Sequence, residues 1–252
     1  MQNDNALMIK DEADVVKHVV KSNISGQIQG EKGEISVGLS HTSQNVIIRN
    51  KSFFCKSLVG NSDKSFIEGL RAYVRAMYLK NGYNGFSDDY DRQFDSDSAY
   101  FYVTNNSGIC AVQRVIHKTP ENLLPIENAN ICNGQNNERY VINELNVVEI
   151  TSFVFSGYHV LDLLFSSIAH YGKLKKIKKA FALLDLESNN LSKIYCKVGW
   201  RKSEQFSSPI FFPGYGRIIN GKFIPTLWKI MELPEERIIS IAENVKKYEV
   251  SS

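Results

Sequence analysis

A tyrosine in a short amphipathic segment is the first residue whose position suggests chemistry. The segment is SNNLSKIYCKVGW, residues 188–200, in which Tyr195 stands four positions before Gly199. Ser188 or Asn189 suits a helix N-cap, and Gly199 suits the C′ position that ends a helix. Such a helix, packed beside the end of the preceding strand, presents a phenol that can act as a general acid. The pattern predicts Tyr195 as a candidate proton donor, with plain core packing as the alternative.

Cysteine and histidine spacing gives no sign of a metal site. The four cysteines form no CxxC pair, and the five histidines form no HxxxH pattern. We therefore expect no metal and a reducing compartment, which for this chain means the cytoplasm. The N-terminus is polar and acidic, and no stretch approaches the roughly 20 apolar residues of a membrane span, so we expect neither a secretory signal nor a transmembrane helix.

Composition is that of a globular chain with a sizeable core. The chain has 252 residues, of which 43% are hydrophobic, and a formal net charge of +3 from 30 basic and 27 acidic residues. This balance creates no global field that would recruit nucleic acid. The only basic cluster, residues 173–179, lacks interleaved aromatic residues, and no helix-turn-helix pattern accompanies it. We expect no nucleic-acid partner.

The elements that must position Tyr195 follow from periodicity and turn residues. Residues 1–45 are predicted to form an N-terminal extension, 46–233 the main domain, and 234–252 a C-terminal helix or tail. The main domain is predicted to run as strand, helix, hairpin, strand, helix, strand, helix, strand, strand. The segments, in that order, are 46–58, 62–83, 98–117 with its turn at 105–108, 139–150, 158–179, 179–186, 188–199, 208–219 and 223–233.

This order resembles that of the GCN5-related N-acetyltransferases. Tyr195-Cys196-Lys197-Val198-Gly199-Trp200 resembles the motif that closes the acyl-donor site of that family, with Trp200 in place of the usual aromatic residue. The resemblance covers roughly residues 45–233. It implies an α/β (α+β) fold with a mixed, mostly antiparallel central sheet and helices on both faces. It also implies an enzyme that transfers an acyl group from a thioester to an amine, with Tyr195 protonating the leaving sulfur.

The donor loop departs from the family pattern. Members carry a Gln/Arg-x-x-Gly-x-Gly/Ala loop that binds the pyrophosphate of coenzyme A, but here Phe155-Ser156-Gly157-Tyr158-His159-Val160 has one glycine and no arginine or glutamine. This departure favours the single phosphate of a carrier-protein phosphopantetheine at least as much as coenzyme A. The resemblance implies donor contacts from the following residues: Val147, Val148, Gly157, Tyr158, His159, Ser188 and Asn189. The alternative interpretation of His159 is that it is an ordinary residue at the N-terminus of a helix.

The region from Arg71 to Val103, together with Glu144, resembles the acyl-homoserine-lactone synthases and the N-acyl amino acid synthases. The resemblance rests on Arg71, on Asp88-Asp89-Tyr90-Asp91, on Ala99-Tyr100 and on Glu144. These branches take acyl groups from acyl carrier protein. The resemblance implies that Arg71, Asp88 and Asp91 hold an amino-acid acceptor, with surface ion pairs as the alternative.

Amide formation needs a base for the amine, an oxyanion donor and an acid for the thiolate. Glu144 is the candidate base, acting through water, with a solvated strand-end carboxylate as the alternative. Backbone N–H groups near Val147–Thr151 are candidate oxyanion donors.

The basic run 173–179 is a candidate docking surface for the carrier protein, or a solvated helix end.

Three functions remain open from the sequence. The first is an N-acyltransferase that moves a long acyl chain from acyl carrier protein to an amino acid or a similar metabolite. The second is an acetyl-coenzyme A-dependent N-acetyltransferase. The third is a degenerate member that binds an acyl thioester or a partner without turnover.

Overall fold

A large, mostly antiparallel sheet organises the residues that the computed structural model describes, which are 47–50, 52–60, 62–132, 134, 137–243 and 249–251. The expected N-terminal extension lies outside them. The strands are β1 (Ile47–Asn50), β2 (Phe53–Val59), β3 (Tyr83–Asn84), β4 (Ser98–Asn105), β5 (Gly108–His117), β6 (Asn130–Ile131), β7 (Val147–Phe155), β8 (Lys179–Asp185), β9 (Arg201–Lys202), β10 (Ile210–Phe211), β11 (Gly216–Ile219), β12 (Lys222–Pro225), β13 (Trp228–Pro234) and β14 (Glu249–Ser251). The helices are α1 (Lys64–Lys80), α2 (Asp88–Arg92), α3 (Pro125–Asn128), α4 (Leu161–Leu174), α5 (Asn189–Val198) and α6 (Glu235–Glu243), with 3₁₀ turns at Asp95–Asp97 and Tyr158–Val160.

The strand order places one parallel pair in the middle of the large sheet. The order is β14-β1-β2-β4-β5-β7-β8-β13-β10-β6, with β9 paired to β13, and a second sheet has the order β12-β11-β3. β7 and β8 are parallel, and the other pairs are antiparallel. Within the described residues no helix is long and apolar enough to cross a membrane.

Helices cover both faces of the large sheet, as the sequence predicts. α1 packs Ile67, Leu70 and Val74 against Tyr100 and Val112 on one face. On the other face, α4 and α6 pack together over alternate residues of the same strands. Alternation along each strand sends successive side chains to opposite faces, so both faces of the central strands are apolar.

Local signals for helix ends are confirmed. The Asp63 carboxylate accepts a hydrogen bond from the Phe66 N–H at the start of α1, and the Ser188 hydroxyl accepts one from the Leu191 N–H at the start of α5. Gly199 has a φ of 100°, and the Trp200 N–H donates to the Tyr195 carbonyl at 3.0 Å. This is a Schellman ending, in which the residue after the glycine packs on the residue that starts the last turn. The motif thus joins the Trp200 ring to the Tyr195 ring.

Four of the predicted strands differ from the observed ones. The segment expected as one strand over 208–219 contains two short strands, β10 and β11, and the segment expected over 223–233 is divided between β12 and β13. The strand expected over 46–58 is a hairpin, because Asn50 pairs with Phe53 and the chain reverses between β1 and β2. The strand expected over 139–150 begins only at Val147 and continues to Phe155. The preceding residues, including Glu144, form an irregular segment whose Ile142 packs against the loop after β5. Strand composition alone did not reveal this break.

Candidate active site

The two parallel strands separate at their carboxyl ends and open a cleft. Pairing runs from Val147 with Lys179 to Ile150 with Ala182, and both strands continue beyond that point. The cavity has a volume of about 760 Å³. Its walls come from β7, from α5, and from the segments that precede α2 and β11. In open α/β sheets such a crevice at the carboxyl ends of strands is the usual ligand site.

A β-bulge in β7 shapes the wall of this cleft. Val112 pairs with Val154 and Arg114 pairs with Thr151, so β7 carries one extra residue at this point. Ser152 adopts a φ of 54°, in the left-handed region. Bulges twist a strand and redirect its backbone and side chains, and they are frequent next to active sites. Here the bulge follows directly after the last residue that pairs with β8.

Glu149 is a buried carboxyl group at the point of divergence. Its side chain lines the cleft and is fully buried. Oε2 accepts a hydrogen bond from the Ile126 N–H at 2.9 Å, while Oε1 has no partner among the described residues. Burial raises the pKa of Glu149 to about 8, against the smaller opposing effects of the Ile126 N–H and the Arg114 charge. A carboxyl group of this kind can exchange a proton near neutral pH.

Arg114 and Asp91 form a buried ion pair beside Glu149. Arg114 Nη2 contacts Asp91 Oδ1, and Arg114 Nη1 donates to the Asp91 carbonyl at 3.0 Å and to the Tyr100 hydroxyl at 3.1 Å. Nε donates to Thr151 Oγ1 at 3.2 Å. Burial is the largest single influence and lowers the pKa of Arg114, but the charges of Asp91 and Tyr100 and the hydrogen bonds to both together outweigh it and raise the pKa. Asp91 Oδ2 has no partner among the described residues.

Tyr195 lies in the wall that α5 contributes. Its hydroxyl donates to the Leu183 carbonyl at 3.5 Å, a long hydrogen bond, and its ring stacks on Trp200 with centroids 5.3 Å apart. Burial raises its pKa, so the phenol stays protonated at neutral pH. The geometry therefore presents an O–H that is fixed by packing and weakly engaged, which suits a donor to an incoming group.

Three aromatic rings, two from the region of the smaller sheet and one from β13 of the large sheet, also line the cleft. The rings of Tyr83, Tyr215 and Trp228 lie about 6 Å from one another, with centroid separations between 5.9 and 6.1 Å. The Tyr83 hydroxyl donates to Asp185 Oδ2 at 2.5 Å, and Arg217 contacts the same carboxylate. Because Asp185 ends β8, this cluster ties the smaller sheet to the edge of the cleft.

Glu144, the base expected from the sequence, lies outside the cleft. Its carboxylate is exposed and pairs with Lys179 Nζ at 3.0 Å. It precedes the first residue of β7, whereas the cleft opens at the other end of that strand. Glu144 is thus a solvent-exposed carboxylate before β7, and Glu149 is the glutamate of this segment that lines the cleft.

The expected donor residues divide into three groups. Tyr158 and Ser188 line the cleft. Val147 and Val148 lie in the paired part of β7 and are buried, so they do not line it. Gly157, His159 and Asn189 lie next to lining residues but not among them, and the His159 ring packs on Phe53 with centroids 5.0 Å apart. The next helical residue, Asn190, does line the cleft.

The expected acceptor residues form one ion-pair network, of which one end reaches the cleft. Arg71 is buried, donates to Asp88 Oδ1 at 3.0 Å and contacts Asp95. Neither Arg71 nor Asp88 lines the cleft, whereas Asp91 does. Arg71 thus holds the segment from Asp88 to Asp95 against α1 and acts on the site through that segment.

The basic run at the end of α4 lies far from the donor loop. α4 has 14 residues, and its first turn, not its last, adjoins the cleft. At 1.5 Å per residue the lysines lie on the order of 20 Å from that turn. Lys173, Lys178 and Lys179 pair with Glu243, Glu235 and Glu144. The geometry therefore favours the solvated helix end over a docking surface at this run.

Glu149 and Arg114 are the two residues that the sequence analysis missed. Each is the one Asp, Glu, Lys or Arg within a mostly apolar run, AVQRVIH for Arg114 and NVVEI for Glu149. Charged residues are rarely fully buried without a partner, so such isolated charges are a signal for a buried polar site. Within the described residues, no group of three or more His, Cys, Asp or Glu side chains is placed to hold a metal ion.

Comparisons with known proteins bear on the fold. No protein-family model matches the chain, and no curated protein sequence is similar to it. FeeM, an N-acyl amino acid synthase from uncultured soil microbes, is similar in structure with a TM-score of 0.50 and 14% identity, over 79% of this chain and 98% of FeeM. TofI, in a ternary complex with an inhibitor and MTA, has a TM-score of 0.51 and 12% identity, over 75% and 96%. Spermidine N-acetyltransferase from Vibrio cholerae, in complex with CoA and spermine, has a TM-score of 0.45 and 12% identity, over 75% and 99%.

Proposed function

Because this chain has the fold of the GCN5-related N-acyltransferases, we propose that it is an N-acyltransferase. It moves an acyl group from a phosphopantetheine thioester to the amine of an amino acid or a similar metabolite. The observation that carries the proposal is that Glu149 and Tyr195, one buried carboxyl group and one buried phenol, line the same cleft where β7 and β8 diverge.

Glu149 acts as the base in this proposal. Its ionised carboxylate takes a proton from the acceptor's ammonium group, and the resulting amine attacks the thioester carbonyl carbon. Backbone N–H groups of β7 beyond Ile150, where pairing with β8 ends, are suited to stabilise the oxyanion. The C–S bond then breaks and the thiolate takes the Tyr195 proton, while the nitrogen gives up its second proton, which restores the Tyr195 phenol by way of solvent and leaves the neutral amide. A general base works best when its pKa lies near the operating pH. The pKa of about 8 for Glu149 meets that condition at near-neutral pH.

The acceptor's amine is recognised by buried carboxyl oxygens. Asp91 Oδ2 and Glu149 Oε1 belong to residues that line the cleft, and both lack a partner among the described residues. Buried acceptor oxygens without partners are costly, and an ammonium group would satisfy them. These unpartnered oxygens support an amine acceptor, and the structural similarity to FeeM, an N-acyl amino acid synthase, supports an amino acid in particular.

The donor is proposed to be acyl carrier protein. The loop before α4 has a single glycine, Gly157, and a Cβ there would lie 2.6 Å from the His159 ring. The first turn of α4 carries Asp162 and no lysine or arginine. A diphosphate needs several backbone N–H groups and tolerates a neighbouring carboxylate poorly, whereas a single phosphodiester makes a smaller demand. Coenzyme A remains the alternative donor, with acetyl transfer as the corresponding activity.

Purified protein is expected to release thiol from palmitoyl-acyl carrier protein in the presence of pooled amino acids, with an N-acyl amino acid as the product. The measurement is thiol release followed by mass analysis. The same assay with acetyl-coenzyme A and the same pool is the comparison. Release from acetyl-coenzyme A alone would establish the alternative donor, and no release from either would favour a thioester-binding protein without turnover.

Tyr195→Phe is expected to lower kcat by about 10²-fold, because the thiolate loses its proton donor. The measurement is steady-state thiol release with the donor and acceptor identified above. Tyr73→Phe is the matched control, since the Tyr73 hydroxyl also donates to a carbonyl, Ile109 O at 3.4 Å, but Tyr73 does not line the cleft. Equal activity of both variants would remove Tyr195 from the mechanism.

A further inference from the structure

The hairpin formed by β11 and β12 exposes apolar side chains on both of its faces. Ile218, Ile219, Phe223 and Ile224 have exposed fractions between 42% and 59%. Ile218 pairs with Phe223 and Arg217 pairs with Ile224, so Ile218 and Phe223 share one face while Ile219 and Ile224 share the other. Leu186 and Leu227 are also exposed, and they are joined by a backbone hydrogen bond of 3.1 Å. Contiguous exposed apolar surface of this kind marks an interaction site.

The exposure of apolar side chains on both faces of the hairpin distinguishes a lipid surface from a protein partner as the binding surface. A protein partner that packs on one face of a two-stranded ribbon leaves the other face in water. A lipid interface surrounds an inserted ribbon and covers both faces at once. The two faces of this hairpin carry similar apolar residues, which fits a surrounding medium better than a one-sided contact.

Charge on the hairpin fits an anionic lipid surface. Residues 214–227 contain Arg217 and Lys222 and no acidic residue. Lys222 lies at the tip, next to the Asn220-Gly221 turn, and takes part in no ion pair among the described residues. A basic residue flanking inserted apolar side chains adds attraction to anionic headgroups. Arg217, which contacts Asp185 and Glu187, holds the base of the hairpin instead.

We propose that the β11–β12 hairpin docks the protein on an anionic lipid surface, with Ile218, Ile219, Phe223 and Ile224 inserted and Lys222 at the headgroups. The stem of the hairpin is part of the cleft wall, because Tyr215 and Arg217 line the cleft. Docking therefore places the mouth of the cleft beside the lipid surface. The inference does not depend on turnover, and so it stands or fails separately from the proposed acyl transfer.

Full-length protein is expected to co-float with phosphatidylcholine vesicles that contain phosphatidylglycerol, and to co-float less with phosphatidylcholine alone. A triple variant, Ile218→Thr, Ile219→Thr and Ile224→Thr, is expected to lose binding by about tenfold or more. Threonine keeps the strand propensity, and Phe223 is left in place because it packs over Gly216. Lys222→Glu is expected to weaken binding to the anionic vesicles only.

The matched control is a triple variant with equally exposed apolar residues elsewhere, Val141→Thr, Leu145→Thr and Leu174→Thr. It should bind vesicles as the wild type does. Circular dichroism on both triple variants verifies that they fold. Absence of wild-type flotation, or equal loss in both triple variants, would overturn the proposal. Concentration-dependent dimerisation in gel filtration that the hairpin substitutions abolish, without flotation, would also overturn it and assign the surface to a second copy of the chain.

Discussion

Glu149→Gln is expected to lower kcat for acyl transfer by about 10²–10⁴-fold, while Glu144→Gln leaves it within about twofold because that carboxylate is a surface partner of Lys179. The glutamine keeps the size of the side chain and can still accept the Ile126 N–H, but it cannot take a proton. The measurement is thiol release with the donor and acceptor fixed. Equal loss in both variants, or none in Glu149→Gln, would contradict the assignment of the base.

The pH dependence of the wild type follows from the same group. Since the base is the ionised form, kcat should rise with pH through an apparent pKa near 8, the value to which burial raises Glu149. Glu149→Gln should lack this ascending limb. Glu144→Gln should retain it. A limb that survives in Glu149→Gln would belong to the acceptor's amine instead.

The stability of the folded protein should fall as the pH rises, in the opposite direction to kcat. The folded-state pKa of Glu149 is raised from 4.5 to about 8, so the folded protein binds a proton more tightly than the unfolded chain does. The corresponding stabilisation is complete below about pH 4.5 and is lost as the pH rises through 8. Wild-type Tm should therefore fall between pH 5 and pH 9 more steeply than the Tm of Glu149→Gln. Parallel curves would show that the carboxyl group is not buried as described.

Arg114→Met is expected to destabilise the protein by about 3–5 kcal/mol, because it leaves the buried Asp91 carboxylate without its partner. Methionine fills much of the same volume without a charge, so the loss reports the ion pair rather than a cavity. The measurement is the free energy of unfolding from urea titration. Adding Asp91→Asn to Arg114→Met should recover part of that loss, because the uncompensated charge is removed.

Arg92→Met is the matched control for Arg114→Met. Arg92 also pairs with an aspartate, Asp88 at 2.8 Å, but its side chain is half exposed. Exposed pairs contribute about 0–1 kcal/mol. A loss in Arg114→Met no larger than that of Arg92→Met would show that Arg114 is not the buried anchor of the site. A double variant no more stable than Arg114→Met would show that the loss is not due to the Asp91 charge.

Local structure was predictable from the sequence because its causes lie within a few residues. The caps at Asp63 and Ser188, the Gly199 ending of α5 and the hairpin turn near Asn106 each depend on side chains and φ preferences at neighbouring positions. The order of strands and helices follows from these ends and from the apolar periodicity between them, and the fold class was inferred from the resemblance of that order to the GCN5-related N-acetyltransferases. Tyr195 was found in this way, since its place in α5 is set by the cap and the glycine.

The sequence was sufficient to predict the order of most helices and strands and the place of Tyr195 in α5, whereas which charged residues are buried at the cleft depends on the tertiary structure. Glu144 and Glu149 stand in one predicted strand, and their burial differs because the loop after β5 folds over only the second of them, through the Ile126 N–H. Arg114 meets Asp91 across 23 positions of the chain. Burial and ion pairing depend on contacts between distant segments, which periodicity and capping do not encode, and these contacts raise the pKa of Glu149, the proposed base.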